Sequence, residues 1–249
     1  RILFDTGQGL VLRHNAGKLG TDLNSADTVV LSHGHFDHTG GLREVLQLGG
    51  RPAVYLHPAA LKAIYARSKK PPHREIGIPD LDEATMRDLA REVVFTPKPT
   101  EIAPRLLLTG EVPRRNDFED TGGPFYLDAE CTRPDPLTDD QALVARIPQG
   151  LVVILGCAHS GVINTLDHVA ELIPGQPIVA VLGGMHLVRA TQQRLEATAA
   201  ALERHGVNML APGHCTGLAP TCFLRSRRPG RCAELSVGST FAFGPPLTD

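Results

Sequence analysis

Three histidines and one aspartate lie within six consecutive residues near the start of the chain. They are His33, His35, Asp37 and His38, and they directly follow the apolar run 28–32. Burying such polar side chains costs free energy unless a partner satisfies them. Imidazole and carboxylate groups are ligands that zinc, iron and manganese accept. The segment therefore predicts a metal site at the end of a buried strand.

The spacing within this segment predicts two metal positions. Alternate side chains of an extended segment point the same way, so His33 and His35 face one position. Asp37 and His38 follow a predicted turn and face a second position. Zinc is the expected metal, with manganese, iron and magnesium as alternatives.

The elements that position these residues alternate between apolar strands and amphipathic helices. Strands are predicted at 29–32, 53–56, 93–95, 105–109, 141–146, 151–155, 178–182, 207–210 and 236–243. Helices are predicted at 41–48, 58–67, 81–91, 164–172 and 191–205. This alternation, with polar residues at strand ends, predicts a mixed α/β fold.

The segment 33–38 resembles the His-x-His-x-Asp-His signature of the metallo-β-lactamase superfamily. Further resemblances follow in the same order along the chain. They are Asp5-Thr6-Gly7, Thr39-Gly40-Gly41-Leu42, the segment 156–161 around His159 and the segment 212–217 around His214. The resemblance implies an αββα sandwich formed by a single domain over residues 1–249.

One group within this superfamily resembles the chain in further segments, which are Asn116-Asp117-Phe118-Glu119, 139–143, Asn164 and Gly183-Gly184-Met185-His186. The group is named for 7,8-dihydropterin-6-yl-methyl-4-(β-D-ribofuranosyl)aminobenzene 5'-phosphate synthase. This resemblance implies a pterin-related synthase or transferase, or a phosphoester hydrolase.

The superfamily resemblance implies two sets of metal ligands. They are His33, His35 and His159 for the first metal, and Asp37, His38 and His214 for the second. Most superfamily members add a carboxylate between the metals, but Gly183-Gly184-Met185-His186 contains none. His186 therefore either binds the second metal or donates a hydrogen bond to substrate, and we favour the ligand role.

The missing carboxylate predicts an anionic substrate. Two divalent ions bring a charge of about +4, while Asp37 and one hydroxide return about −2. A divalent metal lowers the pKa of water towards about 7, so hydroxide is supplied at neutral pH. Asp37 and His186 are the predicted catalytic residues, the first to orient the attacking water and the second to protonate the leaving group, with an unmatched histidine as the alternative proton donor. A phosphate-containing small molecule is the predicted substrate, and hydrolysis or synthesis stays open.

The irregular stretch 69–136, rich in proline and charge, is a candidate substrate-covering insertion, because loops on a rigid scaffold carry specificity. Solvated connections are the alternative interpretation. The predicted substrate contacts are Arg114, Arg115 and Glu119 in this stretch, and Ser160 beside His159.

Composition favours an ordinary enzyme and excludes two classes of partner. The net charge is −2 over 249 residues, so no basic field favours nucleic acid. No apolar stretch approaches the roughly 20 residues that span a bilayer. The five cysteines are scattered, so a reducing, cytoplasmic setting is predicted, and a homodimer stays open. Cys157 and Cys215 are expected to be packing residues, with thiolate ligation as the alternative.

The chain begins at Arg1 within a predicted strand, so we expect an upstream segment that includes one or two strands. Two other functions stay open beside the metal-dependent enzyme. One is a phosphodiesterase or nuclease of the same fold, which the acidic balance disfavours. The other is a non-catalytic metal- or ligand-binding protein, which the full ligand set disfavours.

Overall fold

The computed structural model describes residues 1–244, which form two compact units. The N-terminal unit comprises residues 1–98 and 123–141, and the C-terminal unit comprises 99–122 and the chain from 142 onward. The predicted single domain over 1–249 stays a prediction, and its last five residues, 245–249, lie outside the described residues.

The secondary structure alternates between strands and helices, as the sequence predicts. The strands are β1 (Ile2–Phe4), β2 (Thr28–Val30), β3 (Ala53–Leu56), β4 (Tyr65–Ala66), β5 (Arg74–Glu75), β6 (Glu92–Phe95), β7 (Thr100–Ala103), β8 (Leu106–Leu108), β9 (Phe125–Tyr126), β10 (Leu143–Ile147), β11 (Gly150–Leu155), β12 (Ile178–Gly184) and β13 (Met209–Gly213). The α-helices are α1 (Leu12–Lys18), α2 (Phe36–Thr39), α3 (Leu42–Gln47), α4 (Glu83–Leu89), α5 (Val162–Leu172), α6 (Gln192–Arg204) and α7 (Leu218–Arg227). Short 3-10 helices span Leu23–Ser25, Pro58–Leu61 and His214–Thr216.

The N-terminal unit is built on a parallel four-stranded sheet in the order β1-β2-β3-β6. Central strand β2 is apolar because both of its faces are covered, and Val29 and Val30 are fully buried. Leu42 and Leu46 of α3 pack into the same core. Each such buried side chain contributes about 1.5–3 kcal/mol to stability. A second, antiparallel sheet of this unit has the order β5-β4-β9.

The C-terminal unit is built on a six-stranded sheet in the order β13-β12-β11-β10-β8-β7. Strands β11, β12 and β13 are parallel neighbours, and the others pair antiparallel. The core of this unit includes Val162, Leu166 and Val169 of α5, which recur at helical spacing. The carboxyl ends of β11, β12 and β13 therefore meet at one edge of the sheet.

Two predicted elements are wrong. The helix predicted at 58–67 is a 3-10 helix that ends at Leu61, because Tyr65 and Ala66 pair instead with β5 and β9. The strand predicted at 236–243 does not form in the part of the chain that the structure describes; Ser236 and Ser239 form a turn there. None of the described helices has the length and apolar character needed to cross a membrane.

The stretch 69–136 contains six short regular elements, β5, α4, β6, β7, β8 and β9, but most of its residues lie outside them. Its longest segment without a helix or strand is 109–124, between β8 and β9. The role of this stretch as a substrate cover stays a prediction.

Candidate metal centre

The first set of candidate ligands lies on the loop after β2 and within the short helix α2 of the N-terminal unit. His33, His35 and His38 are buried, with 1%, 4% and 6% of their surface exposed. The ring centroids of His33 and His35 are 4.6 Å apart, and those of His33 and His38 are 4.2 Å apart. Ring nitrogens of His33 lie within 4.8 Å of one of His35 and one of His38. This imidazole set has the chemistry and spacing that a divalent metal accepts.

Asp5, at the end of β1, holds this loop in place. Its carboxylate accepts hydrogen bonds from the Ser32 backbone N–H and hydroxyl, each at 2.7 Å. The same carboxylate lies 2.6 Å from Nδ1 of His38, and the Ser32 hydroxyl lies 2.9 Å from Nδ1 of His33. A carboxylate or hydroxyl on one ring nitrogen orients the other nitrogen towards a metal.

The orienting role of Asp5 was not predicted, although its motif was recognised. The parallel register pairs Phe4 with Val30, which brings Asp5 beside the start of the ligand loop. The sequence signal for this role is an acidic residue that directly follows β1, because β1 is the strand next to β2 and β2 leads into the histidine loop.

The segment 139–141, which is the last part of the N-terminal unit, forms hydrogen bonds to the same loop. The Gly34 N–H donates to Asp139 Oδ2 at 2.7 Å, and burial raises the pKa of Asp139 to about 7. Gln141 donates its side-chain amide to the Leu31 carbonyl and its backbone N–H to the Ser32 carbonyl, both at 2.9 Å. Because these contacts span a sequence separation of more than 100 residues, sequence spacing gives no sign of them.

Only glycine fits at position 34. A side-chain Cβ there would lie 2.5 Å from the carbonyl oxygen of Ala60, which is a backbone atom that cannot rotate away. The ligand loop is therefore packed against the 3-10 helix of residues Pro58–Leu61.

Asp37 lies on α2, beside the last histidine of the loop. Asp37 is partly buried, and its Oδ2 is 3.8 Å from Nε2 of His38. The Phe36 N–H donates to the Ile76 carbonyl at 2.8 Å, which anchors the start of this short helix. The N-terminal unit thus collects three imidazoles and one carboxylate on a supported loop, and their metal-binding role stays a prediction.

The second set of candidate ligands lies at three neighbouring strand ends of the C-terminal unit. His159 follows β11, His186 follows β12 and His214 follows β13. Register pairs Leu155 with Gly183, and Gly184 with Gly213, so the three loops leave the sheet at one edge. His159 is buried, His186 is partly buried and His214 is exposed. The rings of His159 and His186 are 4.5 Å apart between centroids.

The backbone enters the left-handed region in each of these three loops. The φ angles are 54° at Ala158, 44° at His186 and 50° at His214. Such angles are uncommon for residues other than glycine and cluster at functional sites, where they redirect a side chain. The φ angles are therefore consistent with a backbone that directs the three histidine side chains at these strand ends.

The segment 114–122 contacts His159 and His186 within the C-terminal unit. Arg114 donates from Nη2 to the His159 carbonyl at 2.7 Å, and Nδ1 of His159 lies 2.7 Å from the Thr121 carbonyl oxygen. A carbonyl only accepts, so His159 carries its proton on Nδ1, and Nε2 is the nitrogen that would bind a metal. A Cβ at Gly122 would lie 2.0 Å from Nδ1 of His186, so this segment also packs on His186.

Glu119 has a structural role that the predicted substrate contact did not include. Its Oε1 accepts the Ile163 N–H and its Oε2 accepts the Asn164 N–H, both at 2.9 Å. Asn116 also donates to Oε2 at 2.9 Å. A carboxylate at the first turn of α5 satisfies N–H groups that have no partner within the helix and complements the helix dipole. Both carboxylate oxygens therefore stabilise the helix that follows His159.

The other three predicted substrate contacts differ in exposure and in the groups they already contact. Arg115 is paired with Glu171, which raises the pKa of the guanidinium and lowers that of the carboxyl. Ser160 is buried, and its carbonyl accepts from the Asn164 amide at 2.8 Å. Arg114 is exposed beside His159. Arg114 is thus best placed of the four to meet an anionic ligand, and all four substrate roles stay predictions.

The sequence profile described as the Metallo-beta-lactamase superfamily matches residues 1–175. A relative from Methanocaldococcus jannaschii named 7,8-dihydropterin-6-methyl-4-(beta-D-ribofuranosyl)-aminobenzene-5'-phosphate synthase is 29% identical over 226 residues, which cover 87% of this chain and 76% of the relative. An uncharacterized protein of the same organism is 32% identical over 222 residues, covering 87% of this chain and 79% of the relative. The crystal structure of Tm1679, described as a metal-dependent hydrolase of the beta-lactamase superfamily, aligns with a TM-score of 0.82 and 32% identity, covering 96% of this chain and 87% of that one.

Proposed function

Because the chain belongs to the metallo-beta-lactamase superfamily, we propose that it is a metal-dependent enzyme that acts on a phosphorylated small molecule. The family and the mixed α/β fold class that the sequence predicts are confirmed. Metal dependence, the substrate class and the reaction are the proposal.

The contact between Asp5 and His38 carries the proposal. The carboxylate lies 2.6 Å from Nδ1 of His38, while Nε2 of the same ring lies 3.8 Å from the Asp37 carboxylate. A histidine held by a carboxylate on one nitrogen, with a second carboxylate beside the other, has the environment of a metal ligand. A histidine buried only for packing needs no such arrangement.

The proposed ligands follow the family resemblance in each unit. They are His33, His35, Asp37 and His38 in the N-terminal unit, and His159, His186 and His214 in the C-terminal unit. Zinc is the proposed metal, with manganese, iron and magnesium as alternatives. When bound, divalent ions act as Lewis acids that activate water and neutralise charge on phosphate oxygens.

The chain's own residues then orient the reactants. Asp5 and the Thr121 carbonyl hold His38 and His159 in fixed ring orientations. Asp37 accepts a hydrogen bond from the attacking water and so directs its lone pair. Arg114, exposed beside the His159 carbonyl, supplies positive charge for the phosphate group.

His186 has two candidate roles that a metal count separates. It is proposed as a further ligand at the position where the resemblance leads one to expect a carboxylate. The alternative role is to protonate the leaving group. Loss of about one metal per chain in His186→Ala supports the ligand role, and an unchanged count with a slower reaction supports the proton-donor role.

The name of the synthase relative supports a phosphate-containing substrate, but the names of the relatives differ on the reaction. The synthase relative makes a 5'-phosphate compound by its name, whereas Tm1679 is described as a hydrolase. A cytoplasmic location and a homodimer stay predictions.

The experiment compares metal-depleted and reconstituted protein on two kinds of probe. Nitrophenyl phosphate mono- and diesters report hydrolysis. A dihydropterin with a diphosphate leaving group, mixed with a ribofuranosyl-aminobenzene phosphate, reports synthesis through pyrophosphate release. We expect the protein to turn over one of these probes only when metal is present. The rate of this turnover should fall about 100-fold or more in Asp37→Asn. Asp88→Asn, an exposed aspartate on α4 of the same unit, is the matched control. Turnover that survives metal removal contradicts the proposal.

A further inference from the structure

Two cysteines approach each other at the edge of the C-terminal unit where the three histidine loops leave the sheet. Cys157 follows β11 and is buried, and Cys215 lies in the 3-10 helix that follows β13. Strand β12 lies between β11 and β13 in the sheet. The two cysteines therefore meet across the end of the intervening strand, and the Cys215 thiol lies 3.7 Å from the Cys157 carbonyl oxygen.

Gly184, the last residue of β12, permits this approach. A Cβ at position 184 would lie 2.8 Å from Cys215 Sγ and 3.3 Å from Cys157 Cα. Any larger residue would push the cysteines apart. The absence of a side chain at the end of β12 thus creates the space that brings the two thiols together.

The sulfur atoms also lie close to a histidine. The two Sγ atoms and a ring nitrogen of His214 all lie within 4.8 Å of one another. Zinc bonds of about 2.3 Å to sulfur and 2.0–2.1 Å to nitrogen place tetrahedral donors roughly 3.4–3.8 Å apart. Side-chain shifts of about 1 Å are therefore enough to bring all three atoms onto one ion.

The charge at this strand end also favours thiolates. The resemblance leads one to expect a carboxylate after β12, but the chain has Met185 and His186 there. Met185 is fully buried and brings no charge. Thiolates at the neighbouring strand ends would supply the negative charge that the missing carboxylate does not. The phosphate-containing substrate is then supported by Arg114 and by the name of the synthase relative, and no longer by excess metal charge.

We propose that Cys157 and Cys215 bind a divalent metal ion as thiolates together with His214. The proposal rests on the proposed metal dependence and deepens it, since it assigns a soft, sulfur-containing ligand set to the C-terminal unit. Each thiol releases its proton to solvent on binding, so two protons leave for each metal bound through both sulfurs. This replaces the packing role expected from the sequence.

Cobalt substitution tests the proposal because thiolate ligation to Co²⁺ produces an intense near-ultraviolet charge-transfer band. The full chain is depleted of metal under reducing conditions and titrated with Co²⁺. We expect this band in the wild-type protein, about half of it in Cys157→Ser or Cys215→Ser, and none in the double variant. The Co²⁺ affinity of each single variant should fall about 10-fold or more. Cys222→Ser, an exposed cysteine on α7, should leave both readings unchanged.

Two controls separate loss of metal binding from a folding defect. Because Cys157 is buried, its variant is checked by circular dichroism, and partly exposed Cys215 provides the independent variant. In the wild-type protein, bound Zn²⁺ should slow the reaction of two thiols with a thiol reagent. Weak visible bands of bound Co²⁺ without the charge-transfer band overturn the thiolate ligands but leave metal dependence standing. No bound Co²⁺ at all overturns both proposals.

Discussion

The ligand loop of the N-terminal unit and the three ligand loops of the C-terminal unit support their histidines in different ways. The first places its candidate ligands on one contiguous segment whose three histidines are buried, held by side chains such as Asp5 and Gln141. The second takes one histidine from each of three strand ends and holds His159 through the Thr121 backbone carbonyl. The histidines of the second set range from buried to exposed. The first region is a contiguous segment held by hydrogen bonds, and the second is assembled from separate loops.

This difference has a chemical consequence. A contiguous buried set fixes ligand geometry before metal binds, because its side chains are already held by hydrogen bonds. A set drawn from separate strand ends is held less uniformly, since His159 is buried and His214 is exposed. We therefore expect changes in the first region to affect folding and metal affinity together, and changes in the second to affect each loop separately.

The largest expected effect is that of Gly34→Ala in the N-terminal loop. The added Cβ would meet the Ala60 carbonyl oxygen at 2.5 Å, and backbone cannot move aside cheaply. Overpacking of this kind costs about 3 kcal/mol of unfolding free energy. Chemical denaturation measures it, with Gly17→Ala in α1 as the control, since a Cβ there meets nothing within 4 Å. Equal stability of the two variants would show that the loop is not rigidly packed.

The next effect is that of Asp5→Asn on metal affinity. Asparagine retains an oxygen for the Ser32 N–H but removes the charge beside His38. Loss of an orienting carboxylate typically weakens metal binding about 10–100-fold. Competition with a chromogenic chelator measures this affinity, and Asp88→Asn serves again as the control. An unchanged metal affinity would show that the Asp5 side chain does not support the histidines of the first region, and the contrast with the second region would be lost.

Glu119→Ala tests the support of the second region. Removing the carboxylate leaves the Ile163 and Asn164 N–H groups at the start of α5 without their acceptor. We expect a loss of about 1–2 kcal/mol of stability, as for other helix-capping residues. Glu119→Gln keeps an acceptor oxygen and should lose less. If Glu119→Ala is fully stable but raises KM strongly, the predicted substrate contact is the better interpretation.

A further effect concerns the pH dependence of stability through Asp139. Burial raises its pKa from 3.8 to about 7 in the folded protein, so the unfolded chain ionises first as pH rises. This carboxyl's contribution to stability is complete below about pH 4 and is lost as pH rises towards 7. Asp139→Asn removes this loss, so its stability relative to wild type should increase from pH 4 to 7. Parallel stability curves for the two proteins would contradict the raised pKa.

The same two regions differ in how far the sequence predicted them. The segment 33–38 could be predicted as a metal site from sequence because its candidate ligands are contiguous. Their residue types and spacing indicate metal chemistry without any knowledge of the fold. His159, His186 and His214 became candidates only through the resemblance to a family, since they lie at separate strand ends.

The supporting contacts were less accessible to sequence reasoning. Asp139 reaches Gly34 across 105 residues, and no local pattern encodes such a pairing. The Thr121 contact uses a backbone carbonyl, which every residue type provides. The helix predicted at 58–67 failed because strand pairing of Tyr65 and Ala66 outweighed local helix propensity.

Elemental analysis of protein purified without added metal tests the central claim most directly. The measurement compares the wild-type chain with His35→Ala, which changes one buried imidazole of the first region. We predict about two divalent ions per chain in the wild-type protein and about one in the variant. Absence of bound metal from the wild-type chain, even after incubation with zinc, manganese or iron, would contradict the account.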